Sequence, residues 1–278
     1  MHRRQALQVI LALAAALAWS AALGQQARPG GARQPEVQAD RLATIQVLLQ
    51  NFDAMAFGDA GDRNKWTAVQ RWREPVRVVL IGERADEFRE DVRAILAAFD
   101  LLTGIPFTLA DGDGAANLRV FFSEREYYRT AVARSFPRPD QVVCFTNTSV
   151  EANGVIRAAH TVIPEDLSAR AVRTCLAHEL MHAIGFHGHP QRSFDSALRN
   201  GIGIERLTVN DRLLIRALYD SRLRLDMTPD EALAAATEVV GDLQPKVQAI
   251  AGPMADPMDV LAQRERPLTL PPWNGGPV

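Results

Sequence analysis

A cluster of histidines in segment 175–190 is the part of the sequence best suited to chemistry. It contains His178, Glu179 and His182 in the spacing HExxH. On an α-helix, residues four apart lie one turn above each other, so both imidazoles face the same way and can share a tetrahedral metal ion. A glutamate beside them can take a proton from a water molecule that the metal activates. The spacing therefore predicts a Zn²⁺ site with Glu179 as general base.

Further histidines follow the motif, and one of them is expected to complete the site. Four of the six histidines in the chain fall within twelve residues, which favours a metal site over a chance match. The longer pattern HExxHxxGxxH would place the third ligand at Gly188, but His187 and His189 flank that position. One residue inserted after position 186 explains the shift and favours His189. Asp195 and Glu205 are the alternative candidates for the third ligand, each through a carboxylate oxygen.

The motif and its surroundings resemble known families. The metzincin metallopeptidases resemble this chain in the segment HELMHAIGFHGHP, which has Gly185 three residues past the second histidine. The C-terminal helix of matrixin-type members is similar to the segment LTVNDRLLIRALYD. More closely, the stretch from about Leu48 to Ala235 resembles a bacterial exported family known as domain of unknown function 2927. The matching pieces are Ala56-Phe57-Gly58, Arg71-Trp72, Cys144, Cys175-Leu176, LTVNDRLLIRALYD and Met227-Thr228.

The metzincin resemblance implies both a fold and a way of binding substrate. The fold is α+β, with a mixed, twisted sheet packed on the active-site helix and a small helical C-terminal subdomain. A peptide is expected to bind along an edge strand at 155–163. Metzincins also place a methionine turn beneath the metal, yet segment 190–207 contains no methionine. Ser196-Ala197-Leu198 is expected to form that turn, with Leu198 in the methionine's place.

Local patterns predict the elements that position the motif. Ser168 can cap a helix whose apolar residues recur at helical spacing as far as Gly185. Apolar and β-branched runs between turn-forming residues predict strands at 76–81, 106–110, 118–122, 142–146 and 155–164, the last two joined as a hairpin. Helical spacing predicts further helices at 42–57, 86–102, 124–135, 209–219 and 229–239. This order of elements indicates a mixed α+β domain.

The N-terminal segment and the cysteines predict an exported protein, periplasmic or secreted. Arg3 and Arg4 precede an Ala- and Leu-rich stretch that ends in small residues, the pattern of a signal peptide over residues 1–24. An uncleaved membrane anchor is the alternative. Cys144 and Cys175 are the only cysteines, and an oxidising compartment favours a disulfide between them over two buried thiols.

Composition predicts the division of the chain into segments, and charge and hydropathy exclude two classes of partner. After the signal peptide come a Gly/Pro/Gln-rich flexible leader (25–38), a catalytic domain (39–240) and a Pro/Gly-rich tail (241–278). The 278 residues include 31 Lys+Arg against 33 Asp+Glu, a formal net charge of -2, so no basic field supports binding to nucleic acid. No later stretch is long and apolar enough to span a membrane in the mature protein.

Together these patterns predict an exported zinc metallopeptidase that acts on a peptide or protein. His178, His182 and His189 would hold Zn²⁺, while Glu179 would activate the attacking water and then protonate the leaving amine. One alternative is a non-catalytic module that binds peptide or cell wall on a peptidase fold. Another is a zinc hydrolase of a non-protein amide. The sequence carries no signal for an oligomeric state.

Overall fold

A computed structural model of the protein describes residues 41–58, 66–112, 114–136, 142–190, 195–201, 203–250 and 258–262. The predicted signal peptide and leader lie outside these ranges, so both stay predictions. No helix in the described part of the chain is long and apolar enough to cross a membrane.

Five strands form one mixed sheet on which the site is built. In spatial order they are β2 (Phe107–Leu109), β1 (Val76–Ile81), β3 (Leu118–Ser123), β5 (Ile156–Pro164) and β4 (Phe145–Val150). β4 runs antiparallel to β5, and the other neighbours are parallel. The chain is therefore α+β with a mixed sheet, as predicted.

The prediction that segment 155–163 is an edge strand is wrong. β5 lies between β3 and β4, and in the described sheet β4 is the edge strand on that side. A hairpin pattern predicts two adjacent strands without indicating which of them gains a third neighbour. β5 ends in four consecutive buried residues, Thr161 to Pro164, which is typical of a strand covered on both faces.

Most helices begin where the sequence supplies a cap. A Ser or Thr side chain accepts a backbone N–H at the start of α1 (Ile45–Phe57), α4 (Ala169–Ala183), α5 (Val209–Leu218) and α6 (Pro229–Ala249). The other described helices are α2 (Arg89–Thr103), α3 (Arg125–Ser135) and the short α7 (Met258–Leu261). α6 continues past its predicted end at 239 into segment 241–278, because Leu243 and Val247 are buried although Pro245 costs the helix a hydrogen bond.

A large hydrophobic core joins the sheet to the helices. Buried residues alternate along β3 and pack on the same side as the apolar residues of α2 and α4. α5 and α6 contribute Leu214 and Val239 to the same core, so the described C-terminal helices pack with the sheet in one compact unit. A smaller cluster of Tyr128, Val132, Phe145 and Val162 lies between α3 and the opposite face of the sheet.

The start of the described chain is held by its C-terminal helices. The side chain of Asn210 in α5 accepts the N–H of Ala43 at 2.9 Å and donates to the carbonyl of Arg41 at 3.0 Å. Gln244 in α6 donates to the carbonyl of Ala43, 201 positions away in the sequence, at 3.3 Å. α1 packs along α6. The two ends of the fold are therefore in direct contact.

Candidate metal centre

The motif lies in the last turns of α4 and the sharp turn that follows. Ser168 accepts the N–H of Ala171 and begins the helix, as predicted. Gly185 ends it with φ +116°, a conformation that L side chains rarely adopt. A Cβ at this position would lie 2.1 Å from the carbonyl oxygen of Gln70. Glycine therefore allows the chain to turn back toward the histidines.

Three imidazoles converge at this turn. The Nε2 atom of His178 lies 3.2 Å from the Nε2 atom of His182 and 3.2 Å from that of His189. The potential ligand atoms of all three residues lie within 4.8 Å of one another. Nitrogens bound to a tetrahedral Zn²⁺ at about 2.0–2.1 Å would be about 3.3–3.4 Å apart. The group therefore has the spacing of a three-histidine metal site.

The hydrogen bonds of the ring nitrogens determine which atoms are free to bind a metal. His178 Nδ1 lies 2.9 Å from the carbonyl oxygen of Ala197, and His182 Nδ1 lies 2.6 Å from that of Phe186. A carbonyl only accepts, so each Nδ1 carries the proton and each neutral ring keeps a lone pair on Nε2. The Nε2 atoms of His178 and His182 then face each other as two acceptors. A cation between them would remove this repulsion.

Burial keeps these rings neutral. It lowers the pKa of His178 to about 4, with the neighbouring His189 acting in the same direction. Burial also lowers the pKa of His182 well below its ordinary value, and the adjacent histidines add to the effect. Neutral imidazole is the form that binds metal, so no proton has to be displaced at neutral pH.

The loop after the turn separates His187 from the other histidines. The backbone N–H groups of His187 and Gly188 both donate to the carbonyl of Met55 in α1, at 2.7 and 2.9 Å. A Cβ at Gly188 would lie 2.1 Å from the carbonyl oxygen of Ala54, so only glycine fits here. This anchoring places His189 in the group and turns His187 onto Trp66, with ring centroids 4.1 Å apart.

The structure places Trp66 and Trp72 in different surroundings. Trp72 is buried, whereas Trp66 is half-buried and lines the open side of the site. A bulky apolar side chain alone does not indicate which wall it covers. The Nε2 atom of His187 is buried and has no hydrogen-bond partner in the described part of the chain, and burial lowers the pKa of this ring to about 4.

The two acids considered as alternative ligands do not join the histidines. The carboxylate of Glu205 is paired with Arg173 at 2.7 Å and with Arg170 at 3.1 Å. Asp195 contributes its backbone carbonyl, which accepts from Thr208 Oγ1 at 2.9 Å. Neither belongs to the group of possible metal ligands found among the described residues.

Glu179 lies beside the histidines with an unsatisfied carboxylate. The residue is 3% exposed, and its Oε2 atom has no hydrogen-bond partner among the described residues. Burial raises its pKa to about 8. Its backbone carbonyl accepts from Thr146 Oγ1 at 3.0 Å, which ties the helix to the edge strand β4. A buried carboxyl group whose pKa lies near neutrality can exchange a proton with a molecule bound in the cleft.

The Ser196–Leu198 segment forms a turn beneath His178. Its Ala197 carbonyl accepts from that ring, and Leu198 is fully buried in the core. The carboxylate of Asp211 accepts from Ser196 Oγ at 2.6 Å and from the Ala197 N–H at 2.8 Å. Asp211 also completes the capping box of α5, and local sequence patterns did not predict its link to this turn. The sequence signal for this link is the short acidic side chain at the helix start, since such a side chain can cap its own helix and also hydrogen-bond to a neighbouring turn.

The end of α4 is fixed from the opposite side by aromatic donors. Trp72 Nε1 donates to the carbonyl of Ala183 at 2.8 Å, and the Tyr219 hydroxyl donates to that of Ile184 at 2.8 Å. The Trp72 N–H in turn donates to the Tyr219 hydroxyl oxygen at 3.2 Å. Carbonyls at a helix end have no partner within the helix, so these bonds satisfy them and set the direction of the chain.

The predicted disulfide is confirmed. Cys144 and Cys175 are joined with an S–S distance of 2.05 Å. The bond links the residue just before β4 to α4, one turn before His178. Both cysteines also line a cleft of about 940 Å³ that contains His178 and Glu179. The disulfide is therefore part of the wall beside the histidines.

Comparison with known proteins gives one match. A family model described as "Protein of unknown function (DUF2927)" matches residues 46–238. No curated protein and no solved structure matches the chain. The matched stretch contains the three histidines, Glu179 and both cysteines, so it includes the whole candidate site.

Proposed function

Since the chain belongs to the DUF2927 family, whose description assigns no activity, we propose its function from the site itself: it is a zinc-dependent peptidase of metzincin-like fold. The pair of facing Nε2 lone pairs on His178 and His182 supports the proposal most directly. Both rings have their Nδ1 proton committed to a backbone carbonyl, so a cation held between the two Nε2 atoms would account for their 3.2 Å approach.

The donor set favours zinc among the biological cations. Three neutral imidazoles and no carboxylate among the ligands suit Zn²⁺ better than Mg²⁺ or Ca²⁺, which prefer oxygen. Three protein ligands also leave a fourth position open, as catalytic zinc sites do. When bound, Zn²⁺ would supply a Lewis acid that lowers the pKa of water and polarises a carbonyl.

Glu179 would carry the protons. It lies next to His178 on the same helix and presents an unpartnered carboxylate oxygen to the cleft. In peptide hydrolysis it would take a proton from the attacking water and pass it to the leaving amine. The Thr146 contact to its backbone holds this residue against β4.

The edge strand supports a peptide as the substrate. Residues from Val142 to Thr148 line the cleft beside His178, and β4 has a neighbour on one side only in the described sheet. Its free backbone groups can hydrogen-bond to an extended peptide. The substrate strand proposed here is thus β4, because β5 is occupied on both sides.

Variants of the predicted ligand and the predicted base test the proposal. Purified protein should contain about one zinc ion and cleave a mixed peptide library. His182→Ala should lose zinc, whereas Glu179→Gln should keep it and lose about 10² to 10⁴ in rate. His160→Ala is the control, since His160 lies mid-strand outside the histidine group and stacks on Phe121.

The same assay separates the two candidates for the third ligand. His189→Ala should weaken zinc binding strongly, and His187→Ala only slightly, because His187 stacks on Trp66 instead. Zinc retained in full by His182→Ala would contradict the site. Bound zinc without cleavage of any peptide would favour a non-catalytic peptide- or wall-binding module.

A further inference from the structure

We propose that Arg170 and Arg199 make the cleft a receptor for a carboxylate on the C-terminal side of the scissile bond. The inference rests on the proposed peptidase function and names its substrate class. Both arginines line the same cleft as the histidines. The carboxylate can belong to an acidic side chain or to the free C-terminus of a short peptide, since both present the same group to guanidinium.

The charges of the cleft walls are the first argument. Among the described lining residues, Glu179 is the only one with a carboxylate, and it is buried. Arg199 is half-buried and makes no ion pair with any described residue. Arg170 shares the single carboxylate of Glu205 with Arg173. Two positive charges on these walls are therefore left without full compensation, which favours an anionic ligand.

The distance from the metal group is the second argument. Arg170 precedes His178 by eight residues on α4, which corresponds to about 12 Å along a helix. An extended peptide spans this distance with about four residues. Arg199 lines the cleft from another segment, two residues after Ala197, whose carbonyl accepts from the His178 ring. A carboxylate one to four residues from the scissile bond is within reach of one or both guanidinium groups.

The direction of the edge strand is the third argument. Cys144 is bonded to Cys175, and Thr146 contacts Glu179, so the chain entering β4 runs in the same direction as α4. A peptide added antiparallel to β4 therefore has its C-terminal end toward the beginning of α4, where Arg170 lies. Antiparallel pairing is the slightly more stable choice per residue. The arginines would thus contact residues that follow the scissile bond.

Two sets of fluorogenic peptides test the inference and distinguish the two sources of carboxylate. The first set is amidated at the C-terminus and carries Glu, Gln or Lys at each of the four positions after the scissile bond. The second set is neutral and ends within four residues in a free or amidated C-terminus. The zinc-loaded wild type should favour the carboxylate in at least one set by about three- to tenfold in kcat/KM.

Charge reversal identifies the residues responsible. Arg199→Glu should abolish this preference and instead favour Lys at the same position, a gain that a misfolded protein would not give. Arg170→Gln should reduce the preference about two- to fivefold. The matched control is Arg93→Glu, an exposed α2 residue outside the cleft whose partner is Glu90, and it should leave the preference unchanged.

Binding to the zinc-loaded Glu179→Gln protein separates failure of this inference from failure of the proposed function. If the wild type cleaves peptides without regard to a carboxylate, or prefers one before the scissile bond, the inference is wrong and the peptidase function stands. If no peptide is cleaved, binding of the acidic and neutral peptides decides the matter. Equal binding of the two, or a preference that survives Arg199→Glu, overturns the inference.

Discussion

The two walls of the cleft are held in different ways. Below the histidines, hydrogen bonds fix two of the rings and the end of α4. The carbonyl of Ala197 accepts from His178 and that of Phe186 from His182. Trp72 and Tyr219 donate to the carbonyls at the helix end. Above them, the edge strand β4 is connected to α4 mainly by the disulfide and by Thr146. The lower wall is thus a hydrogen-bonded network, and the upper wall is a strand with one exposed edge.

The difference fits what the proposed function would require of each wall. Three ligand nitrogens must stay within a few tenths of an ångström of their positions, so their hydrogen-bond partners must be buried and fully matched. A substrate strand needs unoccupied backbone groups, so the upper wall must keep an accessible edge. A covalent bond holds such a strand in place without using its hydrogen bonds. Changes to the lower wall should therefore cost both stability and metal affinity, while changes to the upper wall should spare the metal.

Asp211→Ala is expected to have the largest effect. It leaves Ser196 Oγ, the Ala197 N–H and the Thr208 N–H without their buried acceptor. The free energy of unfolding should fall by about 3–5 kcal/mol. Zinc affinity should fall about 10- to 100-fold, because Ala197 orients His178. Denaturant unfolding and zinc competition measure the two effects.

Asp226→Ala is the control for this variant, since its ion pair with Arg224 is exposed. It should change stability by no more than about 0.5 kcal/mol. If Asp211→Ala folds with unchanged zinc affinity, the turn beneath His178 does not orient the ring.

Removal of the disulfide by Cys144→Ser together with Cys175→Ser should have the next largest effect. The bond closes a loop with a sequence separation of 31, worth about 3–4 kcal/mol through the entropy of the unfolded chain. Zinc affinity should stay within about twofold of the wild type, since no ligand depends on this bond. Thermal unfolding and zinc titration check both parts. A large loss of zinc affinity would show that the upper wall also positions the ligands.

The two tryptophans give the smallest expected effects on stability and allow a direct comparison. Trp72→Phe removes the donor to the Ala183 carbonyl at the buried helix end and should cost about 2–3 kcal/mol. Trp66→Phe keeps an aromatic ring on His187 at the half-buried wall and should cost about 0.5 kcal/mol or less. Denaturant unfolding of the two variants side by side tests the difference. Equal losses of stability in the two variants would show that the hydrogen bond from Trp72 to Ala183 does not set the buried helix end apart from the half-buried wall.

The parts of the site that the sequence predicted depend on local geometry. Helical spacing placed His178 and His182 on one face with Glu179 beside them, and the glycine at 185 predicted the turn that the structure contains. The disulfide followed from the presence of only two cysteines in the chain. In each case a few neighbouring residues, or a simple count, contain the physical cause.

The parts that the sequence did not predict depend on contacts between distant segments. Whether β4 or β5 is the edge strand is decided by β3, which pairs with β5 from an earlier part of the chain. Sequence reasoning favoured His189 over His187, but it did not predict the contact that anchors their loop, which is to the Met55 carbonyl in α1, more than 130 positions away. No local periodicity encodes such a pairing, because the same strand or loop pattern is compatible with either outcome.

The contact between the two ends of the fold has a consequence for the order of folding. The loop with His189 is hydrogen-bonded to α1, and the residues before α1 are held by Asn210 and Gln244. Contacts of such long sequence separation close late, because the entropy of the intervening loop is lost before they add stability. We therefore expect His178 and His182 to be in place on α4 first, and His189 to join them only when the last long helix docks. The metal would then bind tightly only at the end of folding, so that it stabilises the native state and does not nucleate it.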